Sequence, residues 1–205
     1  MRHEIILFRF TSPVHFGDAA EGGDLGEILS YCRADTFFSA LCREAADISQ
    51  ELLECVVEGV QRGKLRFSDL FPWKKRKNCN ELYLPRPVMN ISHDECGKTL
   101  SYEEVREQSA ERKKEKKRSF IRASEMESYL QGRDISAQPA FGEEELRTQY
   151  NARERRPYGI GAYHFMPDAG LYLILSGNEE CIARLERLIT LLGMTGIGGK
   201  RSSGW

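Results

Sequence analysis

The sequence contains six cysteines, yet no two of them are spaced as C-x-x-C. A zinc ribbon and a thioredoxin-type redox centre both need such pairs, because two thiolates must reach one metal ion or one disulfide. Neither is therefore expected. Cys42, Cys55 and Cys181 fall in helical patterns and are expected to be buried free thiols in a reducing, cytoplasmic setting. No apolar run approaches the roughly 18 residues that a membrane-crossing helix requires. The opening MRHEIILFRF meets charge too early for a signal peptide. An excess of charge is also missing, with 30 Lys and Arg against 31 Asp and Glu in 205 residues, which argues against indiscriminate binding to polyanions.

The distribution of charge is more informative than its sum. Residues 18 to 60 hold 10 acidic and 2 basic groups, whereas residues 61 to 122 hold 17 basic and 9 acidic groups. The chain is polarised, with one part able to meet a polyanion and another repelling it. The last stretch, LLGMTGIGGKRSSGW, raises the question of a phosphate cradle. A nucleotide P-loop needs G-x-x-x-x-G-K-[ST] ahead of a helix. Aligned on Gly199 and Lys200, its first glycine falls on Met194 and its hydroxyl on Arg201, so the motif fails. The preceding NEECIARLERLITLLG reads as a helix that ends here, which presents partial negative charge. What survives is a glycine loop (Gly196, Gly198, Gly199) whose N–H groups can form an anion-binding nest, with Lys200 and Arg201 as cations and Ser202 and Ser203 as neutral donors. That chemistry suits the backbone of a polymer of phosphates.

Periodicity supplies the framework. HEIILFRF alternates as a first strand, with Ile6, Phe8 and Phe10 on one face and Ile5, Leu7 and Arg9 on the other. After the connector TSPVHFGDAAEGGDLGE, Asp35 is expected to cap a helix with Phe38, Leu41, Cys42 and Ala45 on its buried face. Leu53, Val56, Val57 and Val60 continue helix to about Gly63, with a break near Ser49. From residue 64 to 157 the pattern weakens. LRFSDLFP and ELYLPRP are short strand-like pieces around WKKRKNCN, and the run Arg112 to Arg118 reads as a solvated segment. PYGIGAYHFMPDAGLYLILSG then reads as two strands joined in a hairpin at Pro167, Asp168, Ala169 and Gly170. Asn178 caps the last helix, whose buried face is Ile182, Leu185, Ile189 and Leu192.

The expected fold class is α+β: a ferredoxin-like (RRM-like) β-α-β-β-α unit with a long, basic insertion over residues 64–157 and without its final strand. The sheet is expected to be completed by something outside this sequence. In that topology the exits of the first strand and of the last helix share one end, so SPVHFG should adjoin GIGGKRSSG. His15, Phe16, Gly17, Arg33, Lys200 and Arg201 then share a surface, while the insertion leaves from the opposite end. Arg153, in YNARERRP, is a further candidate phosphate contact, and His15, Phe16, Tyr150 and Tyr158 are candidate stacking partners, with Phe16 and Tyr158 equally readable as core residues.

SPVHFG, CRADTFFSALC, YHFMPDAGLYLIL and GIGGKRSSGW resemble, in this order, the signature stretches of the RAMP superfamily of CRISPR RNA-binding proteins. Within it the resemblance is strongest to the family of fourth Csm subunits of type III-A interference complexes. The resemblance implies a non-catalytic cytoplasmic protein that binds the single-stranded 5′ handle of the guide RNA (crRNA). It also implies docking on the large polymerase-like subunit and on a neighbouring backbone RAMP subunit, and a thumb in the insertion that wedges between guide and target RNA bases. Members have two ferredoxin-like halves, of which residues 1–205 match the N-terminal one. Carried over to these positions, Gly196, Gly198, Gly199, Lys200, Arg201, Ser202 and Ser203 would embrace the handle, with His15 and Arg33 nearby. Two alternatives compete: an endoribonuclease with His15 as acid or base, and an assembly adaptor using the acidic stretch from Asp18 to Glu58. Asp18, Asp24 and Asp35, or His93, Asp94 and Glu95, lack the spacing of a metal motif, and no cofactor is expected.

Overall fold

The computed structural model describes residues 2–17, 26–88, 101–102, 106, 118–150 and 156–197. The first strand, β1 (Arg2–Phe8), alternates as its sequence does. Ile6 and Phe8, and Phe10 beyond the strand, pack on the main core, while Ile5 and Leu7 are 54% and 40% exposed. Two helices follow, α1 (Ala34–Ile48) and α2 (Gln50–Gln61). They are separated at Ser49, whose side chain accepts from the Leu52 N–H at 3.2 Å and so caps α2. The expected break therefore has a chemical cause.

The start of α1 differs from the expectation. Asp35 lies inside the first turn, and the free Ala34 N–H is met by Asp69 Oδ1 at 2.7 Å, from a segment far along the chain. Its buried face is Phe37, Leu41, Glu44 and Ala45 rather than Phe38, Leu41, Cys42 and Ala45. The stripe is rotated because two phenylalanines sit side by side: both meet Phe67, and the contact of Phe37 with Phe8 of β1 distinguishes the one that is buried. Cys42, Cys55 and Cys181 are free but only half-buried; the deeply buried thiol is Cys32.

The insertion carries more strand than its sequence suggests. β2 (Leu65–Phe67), β3 (Phe71–Arg76), β4 (Cys79–Pro85) and β5 (Phe120–Arg122) are followed by the short helix α3 (Met126–Leu130) and by β6 (Gly142–Tyr150). WKKRKNCN, expected as a connector between strands, is the end of β3, a turn and the start of β4. The chain closes with β7 (Pro157–Phe165), β8 (Ala169–Gly177) and helix α4 (Glu179–Thr195). Asn178 caps α4 as expected, accepting from the Cys181 N–H at 2.9 Å.

β7 and β8 are not the hairpin that the sequence suggests. Their turn forms, with Ala169 N–H donating to the Met166 carbonyl at 2.9 Å. The strands then part into different sheets, because both edges of β8 are occupied: β1 pairs along one edge, β3 and β2 along the other. β7 pairs instead with β6 over nine residues, and Val14 bridges to Tyr163 on β7. The main sheet runs β1-β8-β3-β4-β5, with β2 also on β8, and every pair is antiparallel. This is α+β architecture.

Leu171, Leu173 and Leu175 of β8 are completely buried among residues of α1, α2 and α4, so these helices cover one face of the sheet. At about 1.5–3 kcal/mol per buried leucine, β8 is the centre of the fold. Gly170 permits a close approach: a Cβ there would strike the Phe8 carbonyl, which already accepts from Trp73 Nε1 at 3.1 Å.

Candidate nucleic-acid interface

Helix α4 runs beside β1 in the same direction. Glu179, at its start, lies 3.4 Å from Arg2, and Glu186, midway, faces the Glu4 carboxyl, whose hydrogen bond and charge push the Glu186 pKa up. At its end Gly196 takes φ 84°, a left-handed conformation that favours glycine, while its N–H still donates to the Leu192 carbonyl at 2.8 Å. Ile197 packs on the same core cluster as Val14 and Phe16. The exit of α4 and the connector after β1 thus share one end of the sheet, as the topological argument requires.

The connector is held firmly there. Val14 and Tyr163 exchange both backbone hydrogen bonds, at 3.0 and 2.8 Å. The Phe16 carbonyl accepts from Leu29 N–H at 2.8 Å. His15 is 8% exposed and its Nδ1 donates to the Gly161 carbonyl at 2.8 Å, which leaves Nε2 facing Gly17. Phe16 requires a correction as a stacking candidate: its ring is 3% exposed and meets Phe10 edge-on at 6.2 Å, so it belongs to the core. Gly17 is exposed, and Arg33 is half-buried immediately before α1, its carbonyl accepting from Phe37 N–H at 3.0 Å. Of the other candidates, Arg153, Gly198, Gly199, Lys200, Arg201, Ser202 and Ser203 lie outside the described residues. Tyr150 is 70% exposed, and Tyr158 is half-buried with its hydroxyl donating to Gln149 Oε1 at 3.1 Å.

Sequence reasoning missed a group of cations at this same end. The β3–β8 register sets Lys74 opposite Ala169, beside the exit of β1, so β3 carries the insertion back across the sheet. The insertion leaves at the far end, as expected, but its first hairpin returns. The signal was present as the run Lys74, Lys75, Arg76, Lys77, but strand pairing with distant β8 is not legible locally. An open cleft of about 300 Å³ adjoins the hairpin, lined by Lys74, Arg76, Glu81, Tyr83 and Arg122 among others. Much of its charge is internally matched. Lys74 Nζ donates to the Ala140 carbonyl at 2.7 Å, and Arg122 lies 3.1 Å from Glu81 and 3.3 Å from Glu125. The contact of Arg122 Nε with Glu81 is close but is not a hydrogen bond, so that N–H has no acceptor among the described residues. A larger cavity, about 450 Å³, lies between α2 and α4 and is lined by Leu52, Cys55, Leu188 and Leu191 among others. Among the described residues no cluster of His, Cys, Asp and Glu could hold a metal ion, and no helix is long and apolar enough to cross a membrane.

No family model matches the sequence. Across 97% of its length, however, the chain is 31% identical to the CRISPR system Cms protein Csm4 of Mycobacterium tuberculosis (strain H37Rv), and across its whole length 26% identical to Csm4 of Streptococcus thermophilus. The chain is Csm4-like. It spans 61% and 62% of the lengths of those two relatives. Its fold agrees with crystal structures of a Csm1-Csm4 cassette in complex with cA4 and of a Csm3-Csm4 subcomplex from a type III-A CRISPR-Cas interference complex. The first match has TM-score 0.61 at 21% identity and covers 93% of this chain and 65% of that one. The second has TM-score 0.58 at 17% identity and covers 97% and 66%. The Csm4-like sequence therefore extends through the insertion as well as through the motifs first noticed.

Proposed function

We propose that this Csm4-like chain is part of a type III-A CRISPR effector subunit that holds the single-stranded 5′ handle of the guide RNA. In this reading it docks on the large polymerase-like subunit and on a neighbouring backbone RAMP subunit, works in the cytoplasm and catalyses no reaction itself. The observation that carries the RNA reading is that the α4 exit, where Gly196 turns the chain, and the anchored connector His15–Gly17 lie at the same end of the main sheet, with Ile197 packed on the core cluster that includes Val14 and Phe16. A glycine loop starting there can offer N–H donors, Lys200 and Arg201 to successive phosphates, supported by Arg33 and Arg153. The strand order β1-β8-β3, with helix after β1 and after β8, supports a ferredoxin-like arrangement whose fourth strand would lie along the free edge of β1. We assign the thumb to the β6–β7 hairpin, on which Leu146 and Tyr150 are 69% and 70% exposed.

The nuclease reading finds little support in His15. A general acid or base must reach substrate, whereas His15 is buried with Nδ1 engaged by a carbonyl. The decisive measurement is a salt titration of handle RNA binding by fluorescence anisotropy. Six phosphate contacts would weaken binding roughly 300-fold for a fourfold rise in salt, at a slope near 0.7 per phosphate. Lys200→Ala with Arg201→Ala should flatten that slope. A salt-independent affinity would sink the handle reading, and metal-independent cleavage of precursor RNA that His15→Ala abolishes would sink the non-catalytic one.

A further inference from the structure

The β3–β4 turn presents two lysines that no carboxylate among the described residues neutralises. β3 crosses the sheet toward the exit of β1 and then runs past it, because pairing with β8 ends at Lys74↔Ala169 while pairing with β4 continues to Arg76↔Cys79. At about 3.3 Å per residue, Lys77 stands about 10 Å beyond Lys74. The turn is a tight one: Lys77 has φ 51° and is followed directly by Asn78 and β4. Lys75, Arg76 and Lys77 are all exposed. Glu81 lies 3.6 Å from Arg76 and also serves Arg122, and among the described residues neither Lys75 nor Lys77 has a carboxylate partner. Arg9, just past β1, is exposed and lies over the buried Trp73 ring at 5.6 Å, so it stands beside the root of this hairpin. It too has no carboxylate partner among the described residues.

A paired strand end holds these charges at fixed positions without a partner of their own, and mutual repulsion disfavours the arrangement until an anion arrives. A string of phosphates fits better than a single anion, because the three unmatched cations are spread from the β1 exit to the hairpin tip. We propose that Arg9, Lys75 and Lys77 form a backbone-phosphate track for single-stranded RNA, leading from the β1 exit onto the β3–β4 turn. The inference rests on the handle-binding reading and extends it: the handle, or the guide next to it, continues from the connector end onto the insertion. Contacts of this type carry no base specificity.

The test compares two double variants of the full chain. Lys75→Gln with Lys77→Asn removes two charges, and Asn tolerates the left-handed turn. Lys200→Gln with Arg201→Gln changes the glycine loop alone. Circular dichroism and a melting curve establish that both fold. Single-stranded RNA carrying the handle, and a scrambled strand of equal length, are titrated between low and high salt. The hairpin variant is expected to lower the salt slope by about 1.4 and to weaken both strands equally, about tenfold near 0.15 M salt. ATP and inorganic phosphate are expected to compete only weakly. If the hairpin variant binds like the parent while the loop variant is weakened, the track is refuted and the handle reading stands. If the parent binds neither strand, both fall. If the hairpin variant keeps RNA but loses a companion subunit in pull-down, these cations serve a protein contact and the inference is wrong. Tight, saturable ATP binding that the hairpin variant removes would assign them to a free nucleotide instead.

Discussion

β8 and β6 are both nine-residue strands, and their surroundings differ in almost every respect. β8 is paired along both edges and covered by three helices on one face, so that Leu171, Leu173 and Leu175 have no exposure. β6 has one partner, β7, and its residues are mostly exposed. Its side chains Glu145 and Arg147 make a salt bridge at 2.9 Å, and His164 on β7 donates to Glu145 at 2.6 Å. One strand is held by burial, the other by its backbone ladder and by screened charges. The hairpin therefore has two sides: β7 is anchored in the core through the buried Ile160, Ala162 and Tyr163, while β6 on its outer side leaves side chains free to touch another molecule.

The comparison breaks most visibly under truncation of leucine. Leu173→Ala should destabilise the protein by about 2–5 kcal/mol through lost burial and the cavity left behind. Leu146→Ala on the hairpin should stay within about 0.5 kcal/mol. Urea unfolding of both variants checks the pair, and equal losses would show that the outer face of β6 is packed as tightly as β8.

Alkali should attack the core next. Burial pushes Tyr172 up to about 12, and burial with the nearby Glu144 carboxylate does the same for Tyr163, from ordinary values of 10.0. Cys32 is likewise pushed from 9.0 to about 12 by burial, with Asp35 and Asp69 adding to it. Each folded pKa exceeds its unfolded value, so each group's contribution is complete below the unfolded pKa and is lost as pH rises toward about 12. Thermal midpoints should fall from about pH 9 upward, and in the folded protein Cys32 should resist alkylation under conditions that label exposed Cys79. Midpoints that stay level to pH 11 would contradict this.

The smallest effect should be seen on the hairpin. Hydrogen bonds from Arg147, then from His164, hold the Glu145 carboxyl below its usual range. Its contribution is present above the ordinary carboxylate pKa and is lost as pH falls through the lowered folded value. Amide exchange in β6 and β7 should therefore quicken modestly in acid, and molar salt should abolish the difference. Acid sensitivity that persists in salt would locate the cause elsewhere.

Elements with local signals were the ones readable in advance. β1 carries its alternation within seven residues, Ser49 and Asn178 announce helix starts through their own side chains, and α4 repeats its apolar face over several turns. β6 was not readable, because GEEELRTQY places polar groups on both faces and is a strand only by virtue of β7. The same holds for the cations of β3, whose position depends on Ala169 more than ninety residues away. Of the interface, the placing of the connector and the α4 exit at one end of the sheet followed from topology. That His15 and Phe16 are buried did not, since an apolar environment is assembled from remote segments such as Gly161 and Phe10.

Composition and periodicity alone settled the class of the protein, the positions of its capped helices and the opposed charges of residues 18–60 and 61–122, because these depend on neighbours within a few residues. Which strand lies beside which, which phenylalanine of a pair faces inward, and which lysines reach the end where the chain's connector and last helix meet were decided in three dimensions. Backbone pairing and burial are contests among distant segments, and only the assembled sheet determines which of them win.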